Sequence, residues 1–467
     1  MSTSVGTVLR GKYPAKSHVR RVVEYIRSKI PAATGILYLE GQYEQFYEDV
    51  DELIPFRQRR ALMYLTGIAD RPGCHLIYGM ASDTSTVFIP QDDVEQILWS
   101  GESLDSEQML KQYEIDQVLP DTELGPSLAR IGRQQQGTQA AVFAIAGRFR
   151  QEFPDFGNKN LAILGEAIEE CRIVKDDFEI GLIKKANDIS CAAHRAVLEQ
   201  VKNFKNEAEI DGLFIAECMR RGTKKLAYPS IVASGSNAAS TQYESNNQDL
   251  FINNKAKDLV LVDAGCEWGC YASDITRTFP IRGKFSQAAR SIYDIVLKMQ
   301  LNCIAVLREG VEWEDVHTLA HTIAIDGLLS IGILKGDPFK ILEARTSTAF
   351  MPHGLGHFLG MDTHDVGGNP NKDEIDLLFK YLRVRRSLPA GSVVTVEPGL
   401  HFSPHVIRPY LEDPKHKDFI DETVLNEYWT IGGICIEDDL LVIQGGSVNL
   451  TDLVKEPEEL ERVTAGV

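Results

Sequence analysis

The chain has 467 residues, 43% hydrophobic and 25% charged, enough to bury large cores in two or three domains. Its 49 basic against 67 acidic residues leave a formal charge of −18, which works against non-specific binding to nucleic acid or anionic lipid. Apolar runs are short and the start, MSTSVGTVLRGKYPAKSHVRR, is polar, so neither a membrane span nor a signal peptide is expected.

In chain order, HVRRVVEYIRSKI (18–30) reads as a helix, GILYLE (35–40), CHLIYGM (74–80) and STVFIP (85–90) as strands, and SEQMLKQYEI (106–115) as a helix, an α/β pattern. Near residues 166–188 the chain becomes charged and opens a long helix, the expected seam, so the domains are taken as 1–174 and 175–467. A helix over 285–308 carries Phe285, Ala288, Ile292, Ile295, Met299, Cys303 and Val306 in steps of three and four, a buried stripe that makes Cys303 a core residue. The segment after Gly446 is expected to lie on the surface. The eight cysteines are scattered without CxxC spacing across a chain too large to need disulfides, which fits a reducing, cytoplasmic setting.

Between the helices of the second part lie β-rich stretches, DLVLVDAG, YASDITRTFP, GSVVTVEPGLHF and GGICIEDDLLVI, each with an acidic residue where an apolar one would be expected. Asp263, Asp274, Glu397 and Glu437 are thus expected on apolar strands, costly for a carboxylate unless something positive meets it, and no Lys or Arg is spaced to pair each one. Two divalent cations would balance the four. One imidazole and a bridging water would complete a hydrolytic site, and MPHGLGHFLGMDTHDVGG (351–368) offers His353, His357 and His364. Oxygen-rich coordination with one nitrogen favours Mn²⁺ or Mg²⁺ over structural zinc, and Mn²⁺ better tolerates the imidazole; Co²⁺ or Zn²⁺ could substitute.

DAGCEWGCYASDITRTFP, HGLGHFLGMDTHDVGG, TVEPGL and IEDD, in this order and spanning roughly residues 178 to 445, resemble the pita-bread metallopeptidases aminopeptidase P and prolidase. The resemblance implies an α/β N-terminal domain followed by an α+β pita-bread catalytic domain, and a homodimer acting on short peptides with proline in second position. It implies that Asp263 holds one metal, that Asp274 and Glu437 bridge both, and that His357 and Glu397 hold the second. Glu397 would also shuttle a proton, His353 would steady the tetrahedral intermediate, and His364 would position the scissile carbonyl. Arg383 matches an arginine that prolidases present to the substrate carboxylate, though Arg385 and Arg386 beside it make a solvated basic turn an equal reading.

Three positions depart from the family pattern: Cys435 stands where relatives usually carry arginine, His401 where tyrosine is usual, and Gln242 where the family places a histidine near the substrate pocket. A lost arginine beside metals removes a charge and a fork of donors, and glutamine cannot carry a proton. His317 and His321 in HTLAH have metal-ligand spacing without the glutamate of an HExxH site, and are read as a surface or satisfied pair. Cys266 and Cys270 are read as buried free thiols. The expected activity is removal of the residue preceding proline from a peptide. The alternatives are a dipeptidase, toward which Arg383 leans, and a catalytically weakened pita-bread binding protein, against which the complete ligand set counts. A creatinase-like hydrolase works without metal, and methionine aminopeptidases normally lack such an N-terminal domain.

Overall fold

The computed structural model describes residues 8–92 and 94–466; positions 1–7 of the polar start, for which no signal peptide is expected, lie outside them. The chain divides into two units, Met1–Arg172 and Ile173–Val467.

In the first unit, α1 (Ala15–Lys29) buries Val19, Val22, Val23 and Ile26, the apolar face that its three- and four-residue spacing lays down. Its sheet has six strands: β1 (Gly35–Glu40), β2 (His75–Gly79), β3 (Thr84–Ile89), β4 (Gln117–Pro120), β5 (Ala141–Phe143) and β6 (Asn158–Asn160), in the order β4-β3-β2-β1-β5-β6. β1, β2 and β3 pair antiparallel, and β4, β5 and β6 join in parallel. Every residue of β1 is buried, which is why GILYLE reads as a nearly continuous apolar run rather than an alternation. The last two strands are three residues each, too short to show a period. The helix expected over 106–115 is Ser106–Gln112, opened by a capping box between Asp105 and Gln108.

The second unit begins with α2 (Asp177–Gln200), whose start is fixed by another capping box: the Asp176 carboxylate accepts from Phe178 N and Glu179 N, and Glu179 accepts from Asp176 N. α3 (Glu207–Arg220) packs against it, and α4 (Gln287–Val306) packs against α5 (Trp313–Ser330). α4 buries Ile292, Ile295, Met299 and Cys303 as its stripe requires, while Ala288 and Val306 are only partly buried at its edges. Against these helices lie small antiparallel sheets. One contains β7 (Ile231–Ser234), β8 (Leu259–Asp263) and β9 (Thr276–Pro280), with β8 central. A second contains β10 (Val393–Val396), β13 (Asp438–Ile443) and β14 (Gly446–Asn449), and a third pairs β11 (Gly399–His401) with β12 (Gly433–Cys435). The segment after Gly446 is not the surface tail its acidity suggested. β14 pairs with β13, Leu450, Leu453 and Leu460 are buried, and α6 (Pro457–Ala465) packs on α2, because its spaced leucines outweigh its charge. Among the described residues, no helix is long and apolar enough to cross a membrane.

Candidate metal centre

The four acidic residues stand at strand ends and breaks rather than within strands, which corrects the expectation. Asp263 ends β8 opposite Thr276, and Asp274 lies just ahead of β9. Glu397 occupies the break between β10 and β11, and Glu437 the break between β12 and β13. At a break the pleat is lost, so a carboxylate can turn to a common centre while its flanking strands keep their apolar faces in the core.

His357 comes from residues 351–391, a stretch without helix or strand that is nevertheless pinned. Thr395 N donates to His357 O (2.9 Å) and Glu397 N to Leu355 O (2.9 Å), lacing it along β10. The approach requires Gly356, where a Cβ would lie 2.1 Å from Thr395 O. His357 Nδ1 donates to Phe358 O at 3.0 Å, which leaves the Nε2 lone pair 3.3 Å from both Asp274 Oδ2 and Glu397 Oε1. Asp274, His357 and Glu437 offer ligand atoms within 4.8 Å of one another. Asp263 Oδ1 accepts from Tyr228 OH (2.6 Å), Glu437 Oε2 from Thr276 Oγ1 (2.7 Å), and Glu397 Oε1 from Thr395 Oγ1 (3.1 Å).

This cluster is electrostatically unfinished. Burial pushes Asp263, Glu397 and Glu437 well above the usual carboxylate range, mutual repulsion adds to it, and burial raises Asp274 to about 7. Burial pushes His357 down to about 4, so its imidazole is neutral and supplies no charge. Glu437 Oε1 is buried with no hydrogen-bond partner, and among the described residues no Lys or Arg pairs with any of the four carboxylates. The next residue gives the contrast. Asp438 points to the other face, pairs with Arg277 (2.7 Å) and Lys455 (2.6 Å), and is held below the usual range despite its burial. A donor set of four carboxylates and one neutral imidazole, with an orphaned oxygen among them, fits oxygen-preferring divalent cations.

Positioning residues escaped the sequence reading. Asp439 Oδ2 accepts from Asp274 N (3.0 Å) and from Asn187 Nδ2 (2.8 Å), fixing the backbone of Asp274 from a strand and a helix distant in sequence. The buried Gln300 on α4 donates to Val396 O (3.4 Å) and Ile436 O (3.3 Å), the carbonyls just ahead of Glu397 and Glu437. Arg277 Nη1 donates to Glu437 O at 2.7 Å. The second aspartate of IEDD was the one signal in plain view.

The other singled-out residues fall in different places. His364 lies edge-on to His357, with ring centroids 4.5 Å apart. His353 is committed at both nitrogens: Nδ1 donates to Gly354 O (2.9 Å), and Nε2 lies 3.2 Å from Nε2 of His401. Arg383 is exposed and has no ion pair among the described residues, but its charge reaches His357 and Glu397; Arg385 pairs with Glu314 and Glu374, and Arg386 donates to Gly367 O. Gln242 is exposed on a loop and makes no hydrogen bond to these side chains. Cys435 donates weakly to Glu397 O (3.5 Å), and burial, reinforced by all four carboxylates, pushes its thiol far up, which places position 435 in their field. Cys266 and Cys270 are buried, and neither is in a disulfide. His317 and His321 are not at the surface: both are fully buried, bonded through one nitrogen to Leu378 O and Ser347 Oγ, with the other unpaired.

Residues 181–444 match the family described as metallopeptidase family M24, and residues 17–140 match the aminopeptidase P N-terminal domain. A probable Xaa-Pro aminopeptidase of Sordaria macrospora is 52% identical over 461 residues, 98% of this chain and 97% of its own. One from Verticillium alfalfae is 53% identical over 460 residues, 98% of each. Escherichia coli aminopeptidase P with the inhibitor Pro-Leu aligns at a TM-score of 0.80 and 29% identity, over 97% of this chain and 99% of that one.

Proposed function

Because the chain belongs to metallopeptidase family M24, with an aminopeptidase P N-terminal domain ahead of a pita-bread catalytic domain, we propose that it removes the N-terminal residue preceding proline from short peptides. The observation that carries this is the convergence of His357 Nε2 with buried carboxylates that pair with no Lys or Arg among the described residues. Proline needs such a specialist, since its imide nitrogen has no N–H and its ring fixes the backbone.

In this reading Asp263, Asp274, His357, Glu397 and Glu437 would together hold two ions. Two divalent cations, Mn²⁺ foremost, would supply acidity to a water and polarise the scissile carbonyl. Glu397 Oε1, supported by Thr395, takes the proton of the attacking water and passes it to the departing imide nitrogen. His364, beside His357, positions the carbonyl. His353 steadies the tetrahedral intermediate, for which its ring must turn from His401 and carry its proton on Nε2 rather than Nδ1. Arg383, which has no ion pair among the described residues, meets the far carboxylate of the substrate, and Gln242 supplies hydrogen bonds without proton transfer. The relatives named above carry the aminopeptidase name, and the dipeptidase alternative gains no support from them.

The test is hydrolysis of a proline dipeptide and a longer Xaa-Pro-Xaa peptide by metal-stripped protein with Mn²⁺ restored, while bound metal is counted. Metal-dependent cleavage of the longer peptide is expected. Two bound ions without cleavage of either would overturn the enzymatic reading and leave a pita-bread binding protein.

A further inference from the structure

The pair His353 and His401 has the arrangement of two metal-bound imidazoles. His353 Nδ1 lies 2.9 Å from Gly354 O and His401 Nδ1 lies 3.1 Å from Ala238 O, so each ring carries its proton on Nδ1 and offers a lone pair at Nε2. Those two lone pairs face each other across 3.2 Å. Burial lowers the pKa of His353 and, with His353 adding to it, drives that of His401 to about 3, so no proton sits between them at neutral pH. His317 and His321 on α5, whose electrostatics also involve His353, are themselves held neutral by burial. Left alone, the contact is repulsive.

A cation reverses its sign. Metal-bound histidines characteristically donate their other ring N–H to a backbone carbonyl, as both rings do here. Two zinc–nitrogen bonds of about 2.0–2.1 Å at a tetrahedral angle separate the nitrogens by about 3.3 Å. The backbone of β11 comes close to both Nε2 atoms at Gly399, where a Cβ would stand 2.8 Å from His401 Nε2 and 3.2 Å from His353 Nε2, so glycine keeps a side chain out of the space between the two lone pairs. We propose that His353 and His401 bind a third divalent cation of the imidazole-seeking class, Zn²⁺ being the type, at a site separate from the carboxylate centre.

Among the described residues no third His, Cys, Asp or Glu joins the pair within one coordination sphere, so water completes the shell and the ion is exchangeable. The pair depends on His401. An ion there occupies the Nε2 that His353 would offer a peptide, which makes it inhibitory; that consequence rests on the proposed function, whereas the ion site does not.

The experiment titrates Mn²⁺-loaded protein with ZnCl₂ and counts total manganese plus zinc per chain, with anomalous diffraction at the zinc edge. Three ions are expected in the wild type, with a peak between the two Nε2 atoms, and two in His401→Gln and His401→Tyr; two variants are used so that one misfolded protein does not decide the matter. Zinc inhibition of peptide cleavage should weaken at least about tenfold in both variants. Two ions in the wild type, or a third retained in both folded variants, would overturn the site. Were no peptide cleaved by any form, the proposed function would fall while the ion count still decided this inference.

Discussion

Glu437, Asp438 and Asp439 are consecutive carboxylates with different electrostatics, decided by what meets each face of the chain. Asp438 meets Arg277 and Lys455, whereas Glu437 Oε1 and Asp439 Oδ1 are buried without a partner. Asp274→Ala or Glu437→Ala should therefore reduce cleavage to background and the ion count below two, and retained turnover in either would sink the two-ion assignment. Asp439→Ala removes the acceptor of Asp274 N, and the expected effect is a roughly 10- to 100-fold loss of Mn²⁺ affinity, measured by competition with a chelating dye. Cys435→Arg returns a cation to a position within the field of all four carboxylates and should raise turnover by about tenfold. An unchanged or lower rate would mean that the pocket has been rebuilt around the thiol.

At the scale of elements, the site depends on breaks held in register by groups outside it. Gln300, on a helix that itself presents no ligand, bonds the carbonyls before Glu397 and Glu437. Gln300→Leu should remove the bond to both carbonyls and destabilise the fold by about 1–3 kcal/mol, read from urea unfolding without metal, and should also weaken Mn²⁺ binding. The helices were legible because α1, α2 and α4 follow a three-to-four period, to which α2 and α4 add capping signals, properties local to the chain. The strand breaks were not legible. TVEPGLHF and GICIEDD read as continuous strands, since nothing in local composition tells a glutamate facing a centre from one facing solvent. The segment after Gly446 misled for a related reason: its surface charges are frequent, and its few buried leucines count only once a partner surface exists.

For the whole molecule, the raised carboxylates couple metal binding and stability to pH. Asp274 stands near 7 in the folded chain without metal, against an ordinary carboxylate value near 3.8. The folded metal-free protein therefore holds a proton that the unfolded chain releases. The contribution of this group to stability is full below about pH 3.8 and is lost as pH rises through about 7. The gain in Tm on adding Mn²⁺ should accordingly grow between pH 5.5 and 8, because ions and protons compete for the same oxygens. A gain independent of pH would show that the cluster is already ionised without metal. Sedimentation at micromolar concentration checks the expected homodimer.

The sequence by itself determined which residues could make a hydrolytic centre. Acidic residues in apolar surroundings and three histidines spaced by glycine are chemical anomalies whatever the fold, and their order along the chain carries the family pattern. Tertiary structure decided how each is used, because charge compensation and tautomer depend on neighbours brought from afar. It assigned Arg277 to Asp438, Asn187 to Asp439 and Gln300 to the two breaks. Among the described residues it gave Arg383 no ion pair while committing Arg385 and Arg386. It also brought His401 against His353 across 48 positions of sequence, a contact that no local pattern encodes.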